Sequence, residues 1–395
     1  MRSMFVFLVF LLIVSPIAAG DNAYFDVVKY GAKGDGVSDD SNAFLKAWKD
    51  TCSATRGFPT MLIPQGRRFM LQPSSFEGPC KSAYIRVMIM GTIMAPQKWE
   101  NWKWVNNNYR ESWIQFIHIN GLDVSGRGMI DGQGASWWNK SQYERPTAVR
   151  FIGCSKLKLG PLRHINSPRN HIGIGSCNGA LLSGLQITAP ENSHNTDGID
   201  IASSSNIFVE QSTISTGDDC IAINSGSKLI NITGIFCGPG HGISVGSLGK
   251  NGNYETVEEI HVRNVTFSGT TNGARIKTWV GGCGYARKIT YEDIILDRVQ
   301  NPVIIDQQYN AYKTLKGGRK AVKVSDVTYR NIRGTTISPA AINLGCDNIG
   351  CTNIILKDIN IVGIGKNIPA ASCKNVQGSS SFCTPKVPCL SSNDH

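Results

Sequence analysis

Three short polar motifs in the middle of the chain contain residue types that can accept, donate and transfer protons. They are Asn195-Thr-Asp197-Gly198, Gly217-Asp218-Asp219-Cys220 and Gly240-His241-Gly242. Carboxyl and imidazole groups are common general acids and bases in enzymes. Asp-Gly pairs are also ordinary turn sequences, so one such motif alone is weak support for a function.

The spacing of these motifs is more informative than their composition. Asp197, Asp219 and His241 each stand two residues before an isoleucine, and they follow one another at intervals of 22 residues. A solenoid produces this spacing when consecutive coils place equivalent residues above one another. The three side chains would then form a column with steps of roughly 5 Å. Asp218, the neighbour of Asp219, should point in a different direction.

Such a column would have acid–base properties suited to catalysis. Carboxylates at this distance repel one another, which raises the pKa of at least one of them and leaves a proton available for general acid catalysis. Further along the chain, Arg275 and Lys277 can point to the same side of a strand, offset the acidic charge and hold an anionic substrate. Calcium binding is the alternative role for the carboxylates, but the neighbouring cations and the histidine argue against a metal.

A recurring apolar pattern predicts how the motifs are held. Mostly apolar side chains, many of them β-branched, recur at relative positions 0, 2, 5 and 7. Full or partial copies begin 23–38 residues apart, at Leu157, Ala180, Ile207, Ile230, Ile260, Ile289, Val327 and Ile354. Positions 0 and 2 indicate one short strand, positions 5 and 7 another, and the odd step between them a bend. A further short strand, such as Ile199-Asp-Ile, lies between copies.

Three short strands per repeat predict an all-β parallel β-helix. A β-propeller is the competing fold, but its blades need about 40 or more residues, and the shortest repeats here are too short. An amphipathic helix over residues 40–52, with Asp40 or Ser41 at its start, should cap one end of the solenoid. The Cys-rich tail from Cys373 should close the other end.

The N-terminus has the features of a secretory signal peptide over residues 1–20: Arg2, an apolar stretch and small residues before position 21. We therefore predict a single exported domain over residues 21–395, with no membrane segment after cleavage. The 12 cysteines all follow the signal, which indicates disulfides. Short separations favour three pairs: Cys220–Cys237, Cys346–Cys351, and two among Cys373, Cys383 and Cys389. Three glycosylation sequons begin at Asn139, Asn231 and Asn264.

Composition limits the partners. The chain is 41% hydrophobic and 17% charged, which excludes a disordered protein, and its net charge of +11 favours a polyanionic partner. The basic residues are dispersed, so nucleic acid is disfavoured and an acidic polysaccharide is favoured. We predict no cofactor, no metal and a monomer.

In their order along the chain, these motifs resemble those of plant polygalacturonases, in glycoside hydrolase family 28. The matching segments are 195–198, 217–220, 237–249 and 275–277, with an opening strand at 25–36 and a tyrosine segment at 301–309. One departure is His194, where plant members commonly have proline. The resemblance implies a right-handed β-helix that is secreted to the plant cell wall and hydrolyses α-1,4-linked galacturonate with inversion.

The resemblance also implies a role for each matching residue. Asp218 would be the general acid on the glycosidic oxygen, and Asp197 and Asp219 would hold and activate the water. His241 would tune the acidic cluster. Asn195, Arg275 and Lys277 would bind substrate, and Tyr309 would line the cleft.

Two other functions stay open at this stage. A pectate lyase on a similar β-helix would need calcium and would give unsaturated products, and the column of His, Arg and Lys disfavours it. A non-catalytic pectin-binding protein is disfavoured because the acidic positions are intact. Endo or exo action depends on whether loops close one end of the cleft.

Overall fold

The chain forms a parallel β-helix, in which each coil passes through a larger and then a smaller sheet. The computed structural model describes residues 23–104, 111–309 and 320–392. Within these ranges the strands pair in parallel, in sheets of 20 and 11 strands. The prediction of an all-β solenoid is confirmed. The predicted signal peptide at residues 1–20 lies outside the described residues.

The strands of the smaller sheet are Ser74–Glu77, Ser112–Ile117, Thr147–Ile152, Ile172–Gly175, Ile199–Ala202, Ile221–Ile223, Ile243–Leu248, Asn272–Trp279, Asn301–Tyr309, Ala340–Gly345 and Ala370–Lys374. Those of the larger sheet are Tyr24–Asp26, Asp35–Asp39, Thr60–Ile63, Arg68–Met70, Ile85–Ile89, Thr92–Met94, Leu122–Gly126, Met129–Asp131, Ser155–Leu159, Arg163–Ile165, Asn178–Ser183, Gln186–Thr188, Ser205–Ser215, Ser227–Cys237, Tyr254–Ser268, Cys283–Val299, Lys323–Thr336, Cys351–Gly363, Val376–Thr384 and Ser391–Ser392. Helix α1 spans Ser41–Ser53, and short 3-10 helices span Val27–Tyr30, Trp99–Asn101, Gly134–Ser136 and Lys250–Gly252.

The predicted repeat is the stacking register of the coils. All eight predicted starting residues, from Leu157 to Ile354, lie in one continuous column of paired positions in the larger sheet. All eight are buried, and five of them, Ile207 among them, are 0% exposed. Apolar side chains of successive coils therefore stack inside the solenoid, and their burial drives its formation.

The bend between positions 2 and 5 is a left-handed backbone residue. Position 4 has positive φ in each coil from Gly184 to Asp358, and so does position −1 from Lys156 to Asn353. Glycine, asparagine and aspartate recur there because they tolerate this conformation best. One detail of the prediction is corrected: from Ser205 onward the two short strands are one continuous strand with a left-handed residue within it.

The two ends of the solenoid differ in part from expectation. The predicted helix face of Phe44, Ala47, Trp48 and Thr51 is buried. Asp40 stands at the N-cap, but its carboxylate does not cap the helix; it accepts hydrogen bonds from the amides of Lys33 and Gly34 instead. The Cys-rich tail adds strands to both sheets before Val387 and Leu390 close the interior.

The described cysteines form four disulfides. Cys220–Cys237, Cys346–Cys351 and Cys373–Cys389 agree with the sequence prediction, whereas Cys52–Cys80 was not predicted. Its partners are 28 residues apart, and folding brings helix α1 against the loop that contains Cys80. Across the described ranges, no helix combines the length and the hydropathy required to span a bilayer.

The left-handed positions generate a stability prediction. Lys156 is exposed at φ 52°, so Lys156→Asn should raise the free energy of unfolding by roughly 0.5–1 kcal/mol, because asparagine adopts this conformation at lower cost. Urea denaturation would measure the change. Lys158→Asn is the control, since Lys158 is exposed on the same strand without positive φ. Equal effects of the two substitutions would contradict the explanation.

Candidate active site

The three polar motifs lie on adjacent turns at one edge of the smaller sheet. The isoleucines that follow them, Ile199, Ile221 and Ile243, are paired in register. Glycine is required in these turns because neighbouring coils approach closely. A Cβ on Gly198 would lie 2.5 Å from the carbonyl oxygen of Cys220, and one on Gly242 would lie 2.3 Å from that of Asn272. The predicted column is therefore present in the backbone.

Asp218 faces hydrogen-bond donors from both neighbouring turns. Its Oδ2 accepts from the amide and the Nδ2 of Asn195, each at 3.2 Å, and its Oδ1 contacts Nδ1 of His241 at 3.0 Å and the amide of Asp219 at 2.8 Å. Burial alone would raise the pKa of Asp218. The hydrogen bond and charge of His241, with the charge of Lys277, outweigh burial and hold that pKa below its ordinary value.

Asp219 is bound on both oxygens by cations. Its Oδ1 lies 2.5 Å from Nη2 of Arg275, and its Oδ2 lies 2.7 Å from Nζ of Lys277. Ser244 donates to Oδ1 at 2.9 Å and accepts from Nε of Arg275. Burial lowers the pKa of each cation, but the charge of Asp219 outweighs burial, and both pKa values are raised. Asp218 and Asp219 are thus adjacent in sequence but face different partners, as predicted.

The protons of the cluster reside on other carboxyl groups. Burial, followed by the charge of Asp218, raises the pKa of Asp197 well above its usual range. Burial also raises the pKa of Asp200 to about 7, although Arg169 opposes the shift. Because these groups interact, they titrate together rather than one at a time. The opposite pKa shifts of Asp197 and Asp218 mean that Asp197 binds a proton more tightly than Asp218 does.

A buried arginine that was not predicted positions Asn195. Arg145 is 3% exposed, and it donates to the carbonyl of His194 at 2.6 Å and to Oδ1 of Asn195 at 2.7 Å. These bonds orient Asn195 so that its Nδ2 faces Asp218. Arg145 lies 50 residues before Asn195, outside the 22-residue phase, so the repeat gave no signal for it.

Three further residues of the site, His171, Ser244 and Asp200, were not predicted. His171 donates from Nδ1 to the carbonyl of Asp197 and accepts at Nε2 from the amide of Ser167. Burial lowers its pKa to about 4, so it supports that turn as a neutral side chain. Ser244 and Asp200 could have been found by counting outward positions along the strands, because Ser244 pairs in register with Arg275.

An open cavity of about 810 Å³ extends the site toward the N-terminal coils. It lies over the smaller sheet and is lined by Arg145, Arg150 and Arg169, together with Asp200 and Tyr143. Arg150 is paired with Glu111. Glu111 and Glu144 also line the cavity, so its lining carries both signs of charge. Its guanidinium groups can bind carboxylates of a ligand through paired hydrogen bonds.

Tyr309 lies beyond the cations, at the far end of the site. Nζ of Lys277 is 5.4 Å from the centre of its ring, and Trp279 packs edge-on against it at 5.8 Å. The structure thus brings together all eight residues that the sequence predicted: Asn195, Asp197, Asp218, Asp219, His241, Arg275, Lys277 and Tyr309.

Asp218, Asp219 and His241 are also the type of cluster that can hold a metal, with ligand atoms within 4.8 Å of one another. The existing contacts do not suit calcium. Both oxygens of Asp219 are bound to cations, and imidazole is not a preferred calcium ligand.

Comparisons with known proteins were consistent with this geometry. Residues 52–384 match the sequence profile described as glycosyl hydrolases family 28. A probable polygalacturonase of Arabidopsis thaliana is 48% identical over 392 residues, covering 97% of this chain and 84% of that protein. A polygalacturonase of Persea americana is 42% identical over 357 residues, covering 88% of this chain and 76% of that protein. The structure of an endo-xylogalacturonan hydrolase from Aspergillus tubingensis is similar, with a TM-score of 0.75, 26% identity and coverage of 87% of this chain and 95% of that one.

The raised pKa of Asp200 predicts how stability depends on pH. Its proton is bound more tightly in the folded protein, at a pKa of about 7, than in the unfolded chain at roughly 4, so the free energy of unfolding falls as pH rises between these values. Asp200→Asn should remove this pH-dependent loss. Between pH 4 and pH 8 its free energy of unfolding should rise by roughly 1–4 kcal/mol relative to that of wild type.

Urea denaturation at several pH values would measure the effect of Asp200→Asn. The matched control is Asp358→Asn, at an exposed position on the larger sheet. Its stability curve should stay parallel to that of wild type. A parallel curve for Asp200→Asn as well would show that Asp200 ionises normally.

Proposed function

The chain belongs to glycosyl hydrolases family 28, and from this premise we propose that it cleaves α-1,4 linkages between galacturonate residues of polygalacturonate, with a water molecule as nucleophile. Membership of the family makes it a pectin-degrading glycoside hydrolase. The assignment to polygalacturonate is supported by the arginines that line the cavity, by Arg275 and Lys277, and by the polygalacturonases among its relatives.

The observation that carries the proposal is the different environment of two adjacent carboxyl groups. The Asp218 side chain is 16% exposed and lies beside an imidazole, whereas the Asp219 side chain is 1% exposed and bonded to two cations. Glycoside hydrolysis needs two carboxyl groups with separate tasks, one to protonate the leaving oxygen and one to act on the incoming atom. Asp218 is the accessible one, and we assign it as the acid.

The acid must be protonated when the bond breaks, although His241 and Lys277 hold the pKa of Asp218 below its ordinary value. A bound polyanion brings negative charge to this cluster, which raises the pKa of nearby carboxyl groups. Because the pKa of Asp197 is raised, Asp197 can bring a proton to the cluster, and a redistribution there can supply Asp218. His241 contacts Asp218 directly, and its own protonation therefore controls how readily Asp218 accepts that proton.

We assign Asp197 and Asp219 to the water. The two cations keep Asp219 as a hydrogen-bond acceptor. It can therefore accept a hydrogen bond from the attacking water, while Asp218 remains the acid. Arg275 and Lys277 retain further N–H groups, and we propose that these bind a galacturonate carboxylate while Tyr309 contacts the sugar ring. Asn195 contributes by fixing Asp218 as well as by any contact with substrate.

The stereochemical outcome we propose is inversion. The usual separation of the two carboxyl groups is about 6.5–9.5 Å in inverting enzymes and about 5–5.5 Å in retaining ones. The nearest oxygens of Asp218 and Asp219 are within 4.8 Å, which favours retention if these two act alone. Inversion is supported instead by the presence of Asp197, a third carboxyl group in the same column that can hold the water jointly with Asp219.

The remaining parts of the proposal concern location and organisation. We propose export directed by residues 1–20, action in the cell wall, and one catalytic domain over residues 21–395 that works as a monomer. The four disulfides support an extracellular site of action, because disulfides persist in oxidising compartments.

Substitution of the acid is the direct test. Asp218→Asn should reduce the release of reducing ends from de-esterified polygalacturonate by roughly 10²–10⁴-fold, because an amide cannot transfer the proton. Asp358→Asn, far from the cleft on the larger sheet, should keep wild-type activity. Wild-type activity should also persist in EDTA, whereas a calcium-dependent lyase would lose activity and give unsaturated ends.

The same assay, followed by NMR of the first products, determines the stereochemistry. An initial β-anomer means inversion. An initial α-anomer would assign Asp219 as a covalent nucleophile and overturn the role of water given above. Folded wild-type protein that releases no reducing ends would overturn the proposed activity itself.

Arg145 offers a second prediction, because its charge and its geometry can be separated. Arg145→Gln should reduce kcat roughly 10–100-fold. It should also move the alkaline limb of the pH–rate profile to higher pH, because loss of the cation raises the pKa of Asp218. Arg145→Lys should reduce kcat but leave the limb in place. Arg150→Gln is the control, because Arg150 lines the same cavity without contacting Asn195. An unshifted limb in Arg145→Gln would contradict the effect of its charge on Asp218, and unchanged kcat in Arg145→Lys would contradict its positioning role.

A further inference from the structure

Two side chains form a bridge across the outward face of the smaller sheet. Tyr143 and Lys250 are 107 residues apart, and Nζ of Lys250 donates to the hydroxyl of Tyr143 at 3.1 Å. The same ammonium lies 5.3 Å from the centre of the Tyr143 ring and 5.5 Å from that of Trp279. Trp279 in turn packs against Tyr309. We name the Tyr143–Lys250 contact the cross-cleft bridge.

The topology shows that this contact passes over the candidate active site. Tyr143 precedes the strand Thr147–Ile152, on the side where strands of the smaller sheet begin. Lys250 follows the strand Ile243–Leu248, on the side where they end. All strands of this sheet run parallel, so the two sides are opposite edges. The core fills the inner face, and the two residues therefore meet above the outer one.

The bridge separates two parts of the proposed substrate path. On one side is the arginine-lined cavity, with Tyr143 as one of its lining residues. On the other side are Arg275 and Lys277 on the strand Asn272–Trp279. A linear polymer that occupies both parts along the helix axis has to pass beneath the bridge.

We propose that the cross-cleft bridge retains a polygalacturonate chain in the cleft, so that the enzyme holds its substrate through successive cuts. This inference rests on the proposed function for the identity of the polymer. A long chain beneath the bridge leaves by sliding its whole length or after the bridge opens. A short oligomer can leave along the cleft without passing beneath the bridge for long, so the bridge should not slow its dissociation.

The strength of the bridge suits repeated opening and closing. It consists of a hydrogen bond and cation–π contacts, and Tyr143 is 76% exposed, so solvent competes for each of them. Contacts of this kind change a rate by about three- to tenfold. Chain entry through the open bridge is therefore compatible with retention after closure.

Dissociation of a labelled chain tests the bridge without requiring catalysis. In an Asp218→Asn background, a fluorescent polygalacturonate of long chain length and a galacturonate trimer would be displaced by excess unlabelled polymer. Tyr143→Ala, Lys250→Met and the double variant should each release the long chain about three- to tenfold faster, with no gain from combining them. Release of the trimer should not change.

Matched controls remove an aromatic ring or a charge elsewhere. Tyr254 is exposed at 70% and Lys158 is exposed on the larger sheet, so Tyr254→Ala and Lys158→Met should leave both release rates unchanged. Equal release of the long chain with and without the bridge would overturn the proposal. Equal acceleration of trimer and long chain would also overturn it, because that pattern means a local substrate contact and not retention.

Activity measurements then separate this inference from the proposed function. In the active enzyme, loss of the bridge should change early products from short oligomers toward a broad mixture of long fragments. The kcat on the trimer should be unchanged in Lys250→Met, because Lys250, unlike Tyr143, does not line the arginine-lined cavity. If wild-type protein binds and retains the chain but releases no reducing ends, retention by the bridge is supported and the proposed hydrolase activity is refuted. Unchanged product sizes in an active double variant would refute the bridge alone.

Discussion

The in-register stacking of coils is the constraint on which the rest of this protein depends. Each strand is bonded to the equivalent strands of the coils before and after it, so one register error would displace every later side chain. The stacked isoleucines, valines and leucines fix the register because only one alignment buries them all. The left-handed residues at two positions of each coil keep the corners in phase although repeat length varies. Length differences are absorbed in turns, such as the turn between Thr188 and Ile199, which contains Asp197 and is longer than the turns that contain Asp219 and His241.

Stacking also explains the electrostatics of the site. A column of turns about 4.8 Å apart brings carboxyl groups closer than they would remain in solution, and the surrounding coils exclude the water that would screen them. The protein stabilises this arrangement in two ways. It binds Asp219 to Arg275 and Lys277, which lie two coils further along, and burial beside Asp218 raises the pKa of Asp197 well above its usual range. The result is a set of carboxyl groups with different protonation states, which is a physical requirement for acid–base hydrolysis.

The cleft combines a rigid floor with a movable covering. Its floor consists of strands whose side chains are fixed by hydrogen bonds to neighbouring coils, such as Ser244 between Asp219 and Arg275. Its covering is formed by side chains from segments that precede or follow those strands, including the exposed Tyr143 and the half-buried Lys250. Chemistry therefore depends on the stacked coils, whereas the handling of a long polymer depends on contacts that solvent can interrupt.

The sequence by itself determined the solenoid, its register and the column of Asp197, Asp219 and His241, because the repeat is periodic and each coil depends mainly on its neighbours. The same periodicity predicted that Arg275 and Lys277 would act together. Only the tertiary structure decided that Asp218 bonds to His241 while Asp219 takes both cations, since side-chain directions within a turn follow no repeat. It also placed Arg145 behind Asn195, Cys52 beside Cys80 and Tyr143 against Lys250. These contacts join segments outside the repeat phase, and their partners are set by how loops of unequal length fold back onto the coils.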